Sequence, residues 1–275
     1  MDSAPNDTPE AEGLSAPPAA PAIILVEPQL GDNIGAAARA MANFGLGELR
    51  IVAPRDGWPN EAARAYAANA LQVIDRAKIF TDLSAAVADL HYVIATTARR
   101  RGMNKPVLGP ESAADEMVAR TKGRQNCGVL FGKERSGLEN DDIAIADVIV
   151  SAPVVPAFAS INLAQTVLLI AYEWRKASLS TGDSTLDEAG APARKADARP
   201  ATQAELAGFF EHLEKELDAS GFLHPPEKRP RTVRGIRNMF KRMGATDQEV
   251  RTLRGIVASL TRRHEARSRE NPKMS

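Results

Sequence analysis

AIILVEPQLGDNIGAAARAMANFGLGELRIVA, residues 22–53, is the stretch from which the architecture can be read. Five apolar residues (22–26) run into a Gly/Asn loop. Ile34, Ala37, Met41 and Phe44 then recur on one face of a helix, and a glycine-bounded turn leads to a second apolar run, 49–53. Short apolar runs without polar alternation are strands buried on both faces. Strand, helix and strand in that order imply a parallel βαβ unit. The same rhythm continues downstream in HYVIATT (91–97), CGVLFG (127–132) and DVIVSA (147–152), with a weaker strand candidate in QVIDRAKIF (72–80). Helices are predicted over 34–44, 60–71, 82–89, 110–121 and 160–176. Residues 22–177 therefore read as one α/β domain with a mostly parallel sheet flanked by helices.

The flanking segments differ in composition. Residues 1–21 contain four acids and no Lys or Arg, are rich in Pro, and lack the basic and apolar regions of a signal peptide, so they read as a disordered leader. Residues 178–201 are rich in Ser, Gly, Ala, Pro and charge, without hydrophobic period, and read as a linker. Beyond it, TQAE (202–205) and TDQE (246–249) have capping-box spacing, and a third helix fits 231–243. Leu206, Phe209, Phe210, Leu213 and Leu217, like Val250, Leu253, Ile256, Val257 and Leu260, recur at helical spacing. A small helical domain is thus predicted over 202–267, followed by a tail, 268–275.

The chain of 275 residues has zero formal net charge, 44% hydrophobic and 25% charged residues, values of an ordinary globular protein. The distribution is uneven: residues 222–275 hold 14 Lys and Arg against five Asp and Glu, which fits either a polyanion partner or a solvated basic face. No apolar run approaches the ~20 residues that span a bilayer. The single cysteine, Cys127, has no partner for an internal disulfide and reads as a buried strand thiol. These features place the protein in the cytoplasm, away from membranes. Four dispersed histidines and the lack of a Cys/His cluster argue against a zinc site, so no metal is predicted. GLGELR (45–50) follows a helix and precedes a strand, the reverse of a dinucleotide-binding turn, and reads as a helix C-cap.

Chemistry-bearing residues gather where strands end. In VEPQLGDNIGAAAR (26–39), Arg39 is the one charged side chain between Asp32 and Glu48. Helical geometry sets it opposite the apolar face, beside Gly35, Ala36, Ala42 and Asn43. These small neighbours would admit a ligand, while an internal ion pair is the alternative. FGKERSGL (131–138) brackets a polar run with glycines, as a loop approaching a ligand does, and its Glu134 could orient Arg39 or a substrate hydroxyl. AFASINLAQTVLLIAYEW (157–174) opens with Ser160 and Asn162, where Ser160 has a helix N-cap role as the structural alternative. TTARRRG (96–102) adds Arg99, Arg100 and Arg101 just past a strand. Open α/β sheets bind ligands outside the C-terminal strand ends, and all four stretches converge there.

Together these stretches resemble the SPOUT class of RNA methyltransferases, in particular the TrmH-like 2′-O-methyltransferases and most closely the TrmJ group. The pattern N-x-G-x-x-x-R-A appears as Asn33, Gly35, Arg39 and Ala40. F-G-x-E-x-x-G-L appears as Phe131, Gly132, Glu134, Gly137 and Leu138, and S-x-N-L around Ser160, Asn162 and Leu163. FFEHLEKELDASGF (209–222) and LRGIVASL (253–260) are similar to the helical tail of that group. The resemblance implies a trefoil knot near the end of the α/β domain, a homodimer, and S-adenosylmethionine as cofactor. By motif position the cofactor would contact Thr96, Thr97, Ala98, Gly132, Ala152, Ala159, Ser160 and Ile161. Arg39, Glu134, Ser160 and Asn162 would serve catalysis, and Asn33, Arg39, Arg99 and Arg101 would hold RNA. The implied reaction is methylation of a ribose 2′-hydroxyl in tRNA, at the pyrimidine at position 32 of the anticodon loop. An rRNA 2′-O-methyltransferase and a non-catalytic RNA-binding relative are the alternatives. One departure stands out: Phe158 occupies a position where that group often has Tyr.

Overall fold

The computed structural model describes residues 20–97, 105–180 and 199–270, with side chains up to residue 261. The expected leader but for its last two residues, most of the linker, the end of the tail, and Ala98, Arg99, Arg100 and Arg101 lie outside these residues.

Seven strands form one parallel sheet: β1 (Ala22–Val26), β2 (Leu49–Val52), β3 (Lys78–Phe80), β4 (Tyr92–Thr96), β5 (Val107–Leu108), β6 (Cys127–Phe131) and β7 (Val148–Val150). Their spatial order is β3-β2-β1-β6-β4-β7-β5. Thus β7 lies between β4 and β5 although it follows both in the chain. The helices are α1 (Gly31–Asn43), α2 (Glu61–Ala67), α3 (Leu71–Asp75), α4 (Leu83–Val87), α5 (Pro110–Lys122), α6 (Asn140–Ile145), α7 (Leu163–Ser180), α8 (Gln203–Ala219), α9 (Arg229–Arg242) and α10 (Asp247–Glu270).

Alternate strand residues supply two cores. Ile23, Leu25, Ile94, Val129 and Phe131 pack with residues of α1, α5 and α7, whereas Ile24, Val93, Ala95 and Leu130 pack with α4 and α6. A third core, built on Leu206, Phe209, Phe210 and Val250, lies in the C-terminal helices. Both capping boxes form: Thr202 and Glu205 bond reciprocally across the start of α8, and Thr246 and Glu249 do so across the start of α10.

Two local expectations are corrected, and one strand went unpredicted. The candidate strand 72–80 divides into α3 and β3, because Val73 and Ile74 are buried at helical spacing and only 78–80 reaches the sheet edge. The two-residue strand β5 has too little pattern to be seen in sequence. The helix expected from 160 begins at Leu163, and Asn162, not Ser160, caps it: its Oδ1 accepts from the N–H groups of Ala164 (2.8 Å) and Gln165 (3.3 Å).

The C-terminal helices dock under the N-terminal edge of the sheet. Gln203 and Ala204 donate backbone N–H groups to Leu90 and Ala88 carbonyls, at 2.9 and 3.2 Å. Lys241, almost fully buried, donates to the Ile145 carbonyl and to Gln203 Oε1 (2.6 Å), and faces Asp147 at 3.5 Å. Asp147 also accepts from the Val93 N–H at 2.8 Å, so one carboxylate ties β4 to α9.

Candidate active site

Small residues in α1 prepare the site by letting helices approach. A Cβ on Gly35 would lie 2.4 Å from the Ala63 carbonyl oxygen, and one on Gly31 would lie 2.2 Å from Asn60 Oδ1. These two glycines therefore seat α1 against α2. This corrects the expectation that Gly35 clears space for a ligand beside Arg39. Arg39 itself is exposed, and no hydrogen bond or ion pair holds it among the described residues, so the internal ion pair is absent there.

The motif stretches meet through a side-chain network. Glu134 accepts from the N–H groups of Gln29 (2.8 Å) and Leu30 (3.1 Å) and from Asn33 Nδ2 (3.0 Å). Asn33 Oδ1 in turn accepts from Asn162 Nδ2 at 3.0 Å, while Asn162 Oδ1 faces backbone donors. The amide orientations are mutually consistent, because an ionised carboxylate only accepts. Leu30, the N-cap of α1, has no capping side chain, and the Glu134 carboxylate supplies negative charge at this positive helix end. Glu134 therefore braces the entry to α1 and does not bond Arg39, one of the two partners expected for it.

The loop after β6 closes on itself. Gly137 has φ +68° and donates to the Lys133 carbonyl at 2.8 Å; a Cβ on Gly132 would lie 2.1 Å from the Leu138 nitrogen. Only glycines permit so tight a loop. Lys133 is anchored to Glu27 (2.8 Å) and Glu139 (2.9 Å), and these carboxylates raise its pKa. On β4, Thr96 Oγ1 donates to the Leu130 carbonyl at 2.8 Å and the Thr97 N–H donates to the Val150 carbonyl at 3.1 Å.

A cavity of about 350 Å³ opens at the C-terminal ends of β6, β4 and β7. Thr96, Thr97, Gly132, Ala152, Ala159, Ser160 and Ile161 all line it, so the structure brings together every expected cofactor residue that it describes. Glu134 lines it too; Arg39, Asn33 and Asn162 do not. Val154, Leu163, Leu169 and Ile170 give it an apolar wall, and Arg135, Ser136 and Thr166 add polar groups that the sequence reading passed over. Thr166 was legible in principle, lying one helical turn beyond Asn162, whose carbonyl accepts from its hydroxyl. Arg135 sits within a quoted motif but at a variable position.

Comparison with known proteins identifies the architecture. The family model for SpoU rRNA methylases matches residues 20–172. The chain belongs to the SpoU methylase family. A second model, for the C-terminal domain of the tRNA methyltransferase TrmJ, matches residues 204–270. A tRNA (cytidine/uridine-2′-O-)-methyltransferase TrmJ from Pectobacterium atrosepticum is 34% identical, over 88% of this chain and 97% of the relative. A tRNA (cytidine/uridine/adenosine-2′-O-)-methyltransferase TrmJ from Pseudomonas aeruginosa is 33% identical, over 86% and 91% respectively. The crystal structure of TrmJ from Z. mobilis superposes with a TM-score of 0.77 at 45% identity, covering 88% of this chain and all of that one. Membership of the SpoU methylase family agrees with a parallel sheet whose C-terminal edge carries the cavity. Among the described residues no helix is long and apolar enough to cross a membrane.

Proposed function

We infer that this chain transfers a methyl group from S-adenosylmethionine to a ribose 2′-hydroxyl of tRNA. The observation that carries the reading is the junction of three family motifs through the Glu134–Asn33–Asn162 network, next to a cavity that Glu134 and Ser160 line. The cavity fits the cofactor: about 350 Å³ lies within the range of small-molecule sites, and its apolar wall suits an adenine ring. Threonine and serine hydroxyls and loop backbone suit the ribose and amino-acid groups. Thr96, Thr97, Gly132, Ala152, Ala159, Ser160 and Ile161 would hold it, with Ala98 as the further expected contact. When bound, S-adenosylmethionine supplies an electrophilic methyl group.

The remaining tasks fall to the protein: alignment of the hydroxyl and accommodation of its proton. Ser160, exposed at the cavity wall, would bond the ribose hydroxyl. Arg39 would stabilise the developing alkoxide or fix a flanking phosphate, since a guanidinium with pKa above ~12 is a poor base. Glu134 and Asn33 act by position, their polar atoms being engaged within the protein, and Asn162 holds the start of α7 beside Ser160.

The finer reading is that the target is the pyrimidine at position 32 of the anticodon loop, in the cytoplasm. The name of the Pectobacterium relative, which specifies cytidine and uridine, supports the pyrimidine class, while that of the Pseudomonas relative adds adenosine. A homodimer is supported by the exposed Leu168, Tyr172 and Leu179 on the outer face of α7. A trefoil knot near the end of the α/β domain is supported by the insertion of β7 between β4 and β5. Residues 22–177 and 202–267 would act as catalytic and helical domains joined by the linker.

Arg39→Ala tests the chemistry. The variant is expected to bind S-adenosylmethionine with unchanged affinity by calorimetry while methyl transfer to tRNA falls at least a hundredfold. Full activity would remove Arg39 from the mechanism.

A further inference from the structure

We propose that Arg135 binds a backbone phosphate of the RNA at the mouth of the cavity. The inference rests on the reading that RNA is the methyl acceptor, and it adds a substrate contact that the motifs do not specify. Three consecutive charged residues, Lys133, Glu134 and Arg135, line the cavity. Lys133 is neutralised by Glu27 and Glu139. Glu134 is held by Gln29, Leu30 and Asn33. Arg135 is exposed and makes no hydrogen bond or ion pair among the described residues.

The loop that presents Arg135 is tightly closed. Its ends are pinned by the Gly137 to Lys133 hydrogen bond and by the close approach at Gly132. A cation on such a loop loses little backbone entropy when it binds. Charge favours phosphate as the ligand: Arg135 has no carboxylate partner among the described residues, and a bound cofactor would bring its own sulfonium to the same cavity. Phosphate oxygens also match the planar guanidinium fork.

Arg135→Ala and Arg135→Lys are to be compared with wild-type protein in two separate readouts, tRNA binding by filter retention across a salt series and methyl transfer. In Arg135→Ala the tRNA Kd and KM are expected to rise roughly tenfold, as for loss of a charge-assisted hydrogen bond. The kcat and the S-adenosylmethionine Kd are expected to stay unchanged. The slope of log Kd against log salt is expected to become shallower by about 0.7–0.9, the signature of one phosphate contact. Arg135→Lys should keep the wild-type slope and part of the affinity. Unchanged tRNA binding and slope in Arg135→Ala would overturn the proposal. So would a weaker S-adenosylmethionine Kd with tRNA binding intact, which would assign Arg135 to the cofactor carboxylate. Wild-type protein that binds tRNA without methylating it would count against the function, while the binding series would still decide the role of Arg135.

Discussion

Glycines 31 and 35 show how single atoms set up this site. Each lacks the Cβ that would collide with α2, and α1 can therefore lie close enough for Asn33 to reach both Glu134 and Asn162. Gly35→Ala forces a methyl group against the α2 backbone, a clash that no side-chain rotation relieves. We expect a loss of about 1–3 kcal/mol, as for overpacked cores, read as a lowered midpoint in urea unfolding; a wild-type midpoint would mean that α1 and α2 are not seated by this contact. The residue scale was also the most uneven to read from sequence. Arg39 stood out as the lone charge in an Ala- and Gly-rich helix, and Glu134, Ser160 and Asn162 through their motifs, yet their partners did not. Spacing cannot reveal that Glu134 turns towards the N–H groups of Gln29 and Leu30, over a hundred positions away, nor that Asn162 rather than Ser160 caps α7. Such contacts depend on loop closure in three dimensions.

Helices and strands followed their local signals where those were strong. Runs such as 22–26 and 127–131 are strands because every residue in them is buried, and both Thr-x-x-Glu capping boxes formed. Most misreadings fell on short elements, α3, β3 and β5, where two to five residues carry too little periodicity. At the start of α8 the Arg199 side chain, hydrogen-bonded to Glu205, holds that carboxyl down at about 2, against its ordinary 4.5. A carboxylate with a depressed folded pKa contributes stability that is present above pH 4.5 and disappears as pH falls through about 2. The C-terminal helices are therefore expected to lose thermal stability over that window. Glu205→Gln should flatten the dependence, measured by the melting temperature from circular dichroism at successive pH values. An unaltered acid profile in the variant would show that this ion pair contributes nothing. Much of the basic excess in this region is structural in the same way: Arg229 pairs with Asp218 at 2.7 Å and Arg237 with Glu214 at 2.7 Å. Lys228, Arg231, Arg242 and Arg254 are exposed without such a partner among the described residues, and these are among the cations available to a polyanion.

Across the whole molecule, the sheet separates two tasks. The cavity lies at the C-terminal ends of the strands, whereas α8 and α9 dock under their N-terminal ends through Gln203, Lys241 and Asp147. Five-residue strands put roughly 16 Å between these edges. The central claim is that the methyl acceptor is a ribose 2′-hydroxyl of tRNA. Its most direct test is incubation of the full chain with labelled S-adenosylmethionine and separate tRNA and rRNA pools, followed by mapping of the labelled nucleotide by mass spectrometry. The account predicts label in tRNA as a 2′-O-methylated pyrimidine at position 32. Label confined to rRNA, or a methyl group on a base instead of a ribose, would contradict it.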